Sequence, residues 1–126
     1  MYSASCPCHY ATKVESSRCI SIIARNRLGG IMIKVLIERQ IAEGLAHYYD
    51  CTIRRVIHSV NEAPGCLGGE SLKETGNSHR RIILSKWDRL VDWQAWYASD
   101  ERRRVLTEIG PLLESSERIT ILEAMH

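Results

Sequence analysis

The sequence predicts an α+β domain of ferredoxin-like type, βαββαβ, with a four-stranded antiparallel sheet and helices on one face. Three observations carry this. Residues 33–41, IKVLIERQI, alternate and are rich in β-branched side chains. Residues 44–62 place Leu45, Tyr49, Thr52/Ile53, Val56 and Val60 at three- and four-residue spacing, which makes one helical stripe. Two further strand-like runs, a broken helical stretch and a last alternating run then follow in the order of a split βαβ unit. The length of 126 residues fits one domain.

The elements follow in order. In the first strand Ile33, Val35, Ile37, Arg39 and Ile41 share one face, and Lys34, Leu36, Glu38 and Gln40 the other. Pro64-Gly65 stops the first helix, because proline cannot continue it and glycine takes the turn. Residues 66–75 form the second strand, where Gly68-Gly69 suggests a bulge or a close backbone approach. Gly76-Asn77-Ser78 is the expected turn and 79–87 the third strand, so these two strands make a hairpin. Asp88 is the expected N-cap of a helix over 89–98, and Ser99 of the next, with Asp100 and Glu101 in its first turn. Gly110-Pro111 ends or bends that helix, and 118–124 is the last strand. The helices cover one sheet face. The other carries Leu36, Leu122 and hairpin residues with nothing of its own to cover them, so a homodimer pairing sheet to sheet is expected.

Composition and charge narrow the functions. The 25% charged and 44% hydrophobic residues are those of a globular domain, and no apolar run is long enough to span a membrane. Residues 1–31 carry four basic side chains against Glu15 alone, a net +3, whereas 32–126 carry 13 basic and 14 acidic ones. The part expected to fold is nearly neutral, which argues against nucleic acid as a partner. The odd count of 5 Cys points to reduced thiols and a cytoplasmic location, with Cys51 and Cys66 as buried thiols. Residues 1–31 have no stable period and read as a disordered or non-native leader, as a transit peptide, or as a metal site of Cys6, Cys8, His9 and Cys19 that lacks the paired spacing of a zinc knuckle. Two Gly codons can spell a ribosome-binding sequence, so Gly29-Gly30 ahead of Met32 makes Met32 the expected true start and 32–126 the domain.

The chain resembles the antibiotic biosynthesis monooxygenase domain of the dimeric α+β barrel superfamily. The likeness rests on IKVLIERQI at 33–41, NEAPGCLGGE at 61–70, ILSKWD at 83–88, WQAWYASDER at 93–102 and PLL at 111–113, in that order. It covers nearly all of 32–124. It implies a dimeric barrel and oxygenation of a small phenolic, quinol or polyketide-like aromatic substrate by O2 without a bound cofactor. It also implies a pocket between sheet and helices. A non-catalytic ligand-binding or stress-response barrel and a haem-binding or haem-degrading member are the alternatives on this fold. Haem-degrading relatives pair a Trp at the position of Trp96 with an Asn and a His where this chain has Arg39 and about Leu106, which argues against haem.

Oxygen chemistry without a cofactor needs a substrate that supplies the electrons, an apolar pocket, a proton acceptor and a group that stabilises an anion. Arg39 is a candidate catalytic residue for the last role, or else a strand-end arginine paired with a surface carboxylate. His58, beside the helical stripe, is a candidate general base, or a solvated helix residue. Trp96 is the third catalytic candidate. Tyr49, Trp93, Tyr97 and Gly69 are candidate substrate-binding residues, with core packing as the alternative for the aromatic ones. Trp87 reads as structural. His47 and His58 stand three turns apart, roughly 16 Å, too far to share a metal. No metal-ligand cluster or phosphate loop is seen in 32–126. Arg102-Arg103-Arg104 beside Glu101 and Glu108 reads as a solvated face.

Overall fold

The computed structural model describes residues 31–125. The proposed leader, apart from its last residue Ile31, and the cysteine–histidine cluster lie outside them. The elements run β1 (Ile33–Gln40), α1 (Ala46–Asn61), β2 (Cys66–Glu74), β3 (Asn77–Trp87), α2 (Leu90–Tyr97), α3 (Asp100–Ile109), a 3-10 turn (Gly110–Leu112) and β4 (Arg118–Glu123). The sheet order is β2-β3-β1-β4, and every pairing is antiparallel. This is the ferredoxin-like arrangement that the sequence predicts.

The alternation in β1 fixes its two faces. Ile33, Val35, Ile37, Arg39 and Ile41 are all buried, and Lys34, Leu36, Glu38 and Gln40 are not. The buried side meets Tyr49, Ile53, Val56 and Val60 of α1, the stripe set by helical periodicity. Each such aliphatic side chain stabilises by about 1.5–3 kcal/mol when taken from water. Trp87 is fully buried at the end of β3, and its indole N–H donates to Ser85 Oγ at 3.0 Å, so its one polar atom is satisfied.

Several local expectations are corrected. The hairpin turn is Thr75-Gly76, not 76–78: Glu74 pairs with Asn77, which leaves a two-residue loop with Gly76 at φ +88°. Asp88 does not cap α2. The N-cap position falls on Arg89, with no side-chain cap, and Asp88 is instead buried behind the strand end. Ser99 does cap α3, its Oγ accepting from the Arg102 N–H at 3.1 Å. Arg102 is not on a solvated face. Its side chain is buried on the side of α3 that meets Glu117, while Arg103 and Arg104 are exposed.

Two glycines are required by geometry. A register shift between Cys66 and Gly68 marks the expected bulge, with Gly68 at φ +141°. Gly65 sits at φ +85°, and a Cβ there would overlap the Asp92 side chain. Gly65→Ala is therefore expected to cost about 1–2 kcal/mol for the left-handed backbone alone, with a further loss as Asp92 is pushed away. Urea denaturation checks this, and a change below about 0.5 kcal/mol would show that the turn relaxes freely.

Candidate functional site

The expected site residues separate into three places. Arg39 and Tyr49 meet at one end of the sheet in a buried ionic cluster. The Arg39 guanidinium donates from Nε to Glu117 Oε1 at 3.0 Å and from Nη1 to the Tyr49 hydroxyl at 3.2 Å. Glu117 also accepts from Arg102 through its other oxygen. Arg81 pairs with Asp50 and donates to the Ser78 carbonyl at 2.8 Å, and its guanidinium lies 5.6 Å from the centre of the Tyr49 ring. Arg39, Arg81 and Arg102 are each no more than 5% exposed. Such burial is tolerable only because a carboxylate meets each one. The cluster ties β1, α1, β3, α3 and the start of β4 together. Sequence reading missed Glu117, Arg81 and Arg102. Their residue types signal nothing until the fold brings 39, 102 and 117 to one point.

Burial holds the Tyr49 hydroxyl above the ordinary phenol value, against the opposing pull of Arg39. A raised pKa means that the stabilising neutral form is kept below the unfolded value and lost as pH rises through the folded one. Ultraviolet titration should therefore find one tyrosine that ionises only above pH 10, or together with unfolding. If every tyrosine ionised with the free phenol, Tyr49 would have to be exposed in solution.

The second place is aromatic. Trp93 packs edge-on to Trp87 with centroids 5.7 Å apart and against Tyr97 at 5.6 Å. Tyr97 is half exposed and stacks on Arg102, whose guanidinium is 5.1 Å from its ring centre. Gly69 lies on the helix-facing side of β2, and a Cβ there would stand 3.5 Å from Ser85 and 3.7 Å from Asn61 Oδ1.

The third place is a cleft of about 450 Å³ between the last turn of α1 and the α2–α3 corner, and it holds both His58 and Trp96. α1 contributes His58, Ser59 and Glu62, which lie on one side of its final turn. α2 contributes Asp92, Ala95 and Trp96, and Ser99 continues this line at the corner. This spacing of three, four and seven residues puts them on one helix face. Glu101 comes from the first turn of α3, and Ala63 and Pro64 complete the floor. The floor is apolar and the rim carries three carboxylates and an imidazole. Ser59 Oγ donates to Glu101 Oε2 at 3.3 Å across the rim. Asp92 and Glu101 each have an arginine 3.6 Å behind them, Arg89 and Arg104, outside the cleft lining. Sequence reading missed Glu62, Asp92, Ser99 and Glu101, although the 92-95-96-99 spacing is a signal that could have found three of the lining residues. The interval between sheet and helices, where a pocket was expected, is occupied by Tyr49, Ile53, Val56, Trp87 and Trp93.

Cys66 is a buried free thiol. Cys51 is half-buried, which corrects the expectation of a buried residue there: it stands off the apolar stripe of α1, with its sulfur 3.8 Å from His47 Nε2. Among the described residues, no group of three or more His, Cys, Asp or Glu could hold a metal ion, and no helix is long and apolar enough to cross a membrane.

The sequence profile of antibiotic biosynthesis monooxygenases matches residues 32–107. The chain belongs to the antibiotic biosynthesis monooxygenase family. No protein of curated function matches it in sequence. Among solved structures it is similar to a Nitrosomonas europaea protein provisionally assigned as an antibiotic biosynthesis monooxygenase, at 10% identity and TM-score 0.71, over 78% of this chain and 94% of that one. A Caulobacter crescentus protein with the same provisional assignment gives 16% identity and TM-score 0.71, over 82% and 99%. A conserved Methanosarcina mazei protein gives 16% and 0.71, over 75% and 94%. At these identities the structural likeness speaks to the fold alone, and that fold is the family's ferredoxin-like one. The match places α1, α2 and most of α3, and with them the cleft, inside the family domain.

Proposed function

We propose that this protein is a cofactor-independent monooxygenase that uses O2 to oxidise a small phenolic, quinol or polyketide-like aromatic substrate in the His58–Trp96 cleft. One observation carries the reading. Two of the three residues proposed as catalytic, His58 and Trp96, line a single apolar-floored cleft of a size suited to a small aromatic molecule. Trp96 supplies a wall for the ring. His58 accepts the phenol proton. The phenolate gives one electron to O2, and the resulting radical pair joins at a ring carbon ortho or para to the phenolate oxygen that bears hydrogen, the peroxide taking the proton back from His58 to become a hydroperoxide. Loss of the ring proton there breaks the O–O bond. The products are a quinone that keeps one oxygen atom and water that takes the other, so the substrate supplies all the electrons. Trp93 and Tyr97 support α2 behind Trp96, and Gly69 keeps the β2 backbone close to Asn61. Arg39 and Tyr49 act as positioning residues by fixing the first turn of α1.

The same reading includes a homodimer. Leu36, Ile82, Leu84 and Leu122 lie together on the sheet face without helices, at least partly exposed, and the register brings Leu36 beside Leu84 and Lys34 beside Leu122. A second copy is the natural cover for such a face.

The test is oxygen uptake by the full chain with a panel of phenols, hydroquinones and anthrones, without added flavin, metal or haem, in ¹⁸O₂. The expected result is one O2 consumed per phenol and one labelled atom in the product. Uptake no faster than autoxidation on every substrate, or hydrogen peroxide with no label in the product, would rule out monooxygenation.

A further inference from the structure

The charge of the cleft constrains what it can hold. Its lining includes Glu62, Asp92 and Glu101 and contains no Lys or Arg. Arg104 meets Glu101 from outside the lining at 3.6 Å with both partners exposed, a pair that contributes little, whereas Arg89 offsets the mostly buried Asp92 at 3.6 Å, so the uncompensated charge of the cleft rests on Glu62 and Glu101. The helix ends do not reverse the balance. The carbonyl end of α1 is negative and the N-terminus of α3 is positive, and their partial charges oppose each other at the same cleft. The side chains therefore decide the sign, and a ring seated on Trp96 sits in a field that attracts cations and repels anions. A ring that must lose a proton here would be opposed by that field unless it brings a positive charge of its own.

Resting on the cleft being the substrate site, we propose that it selects phenols or hydroquinones that carry a protonated amine. The ammonium is held by Glu62 and Glu101 at the rim while the ring lies on Trp96. The same ammonium then compensates the phenolate that forms beside the carboxylates, so one substituent serves both binding and ionisation. Carboxylated phenols are the disfavoured class. Glu62 and Glu101 are specificity-determining residues, not proton acceptors.

The test compares three ligands of nearly one shape by calorimetry on the full chain: 4-(2-aminoethyl)phenol, 4-ethylphenol and 4-hydroxyphenylacetate. The amine should bind about tenfold more tightly than the neutral phenol, and the acid most weakly. The gap should shrink between about 0.05 M and 0.5 M salt, because exposed charges are screened. In the Glu62→Gln/Glu101→Gln double variant the preference should fall to about twofold with the affinity for 4-ethylphenol unchanged. Circular dichroism checks that this surface variant is folded. Equal affinity for all three, or a preference that survives the double variant, overturns charge selection. If ¹⁸O incorporation is still found, the oxygenase reading stands without it. Binding of none of the three removes both the selection and the cleft as the site.

Discussion

Glu117→Gln is expected to destabilise the protein by about 3–5 kcal/mol, because it removes the one charge that neutralises two buried arginines. The Glu117 side chain is 12% exposed, and those of Arg39 and Arg102 are 2% and 3%. An amide in its place keeps the shape but leaves two guanidiniums facing each other away from water. Arg102 is the worse off, since its Nε already has no hydrogen-bond partner among the described residues. For a domain of this size the loss corresponds to a fall in Tm of well over 10 °C. A useful comparison is Arg103→Ala, which breaks a pair to Asp100 of almost the same length, 2.9 Å, but with both partners more than 70% exposed. That change should cost well under 1 kcal/mol. Denaturation of both variants at one fixed protein concentration measures the contrast. A Glu117 effect as small as the Arg103 effect would mean that water reaches the cluster.

His58→Gln is expected to lower turnover about 10²–10⁴-fold, the usual contribution of a positioned proton acceptor. Glutamine keeps the hydrogen-bonding capacity and most of the volume but cannot take the proton. Substrate affinity should therefore change little, since Trp96 and the apolar floor remain. Stability should also hold, because His58 is exposed on α1. Single-turnover measurement separates the chemical step from binding. Loss of affinity with unchanged chemistry would reassign His58 to binding, and no change in either would leave the proton to Asp92, the remaining carboxylate of the lining.

The fold was legible because its signals are local. The alternation of 33–41, the stripe of α1 and the Pro64-Gly65 stop each follow from a handful of neighbouring residues, and β1, α1 and β4 lie within two residues of where the sequence places them. The errors were also local in cause. Asp88 has the right chemistry for a cap, but the strand end draws it inward, and α2 begins one residue later without a cap. The site was less legible because it is non-local. Arg102 looks solvated among its charged neighbours until Glu117, 15 residues away, closes on it. His58 and Trp96 were found as residue types, yet the carboxylates that share their cleft come from three separate helices, and no sequence period links Glu62 to Glu101.

The arginine cluster and the cleft occupy different parts of the molecule, and this has a consequence for divergence. Substitutions at the exposed His58, Glu62 or Ala95 alter what the cleft accepts and leave the ion pairs of Arg39, Arg81 and Glu117 intact, whereas Trp96 is a buried part of the core. Ligand preference can drift along a lineage while the scaffold tolerates each step. Another exception is α3, where Glu101 faces the cleft and its neighbour Arg102 faces Glu117. A shift of that helix is felt by both, so the segment 99–102 should be the slowest of the cleft walls to change.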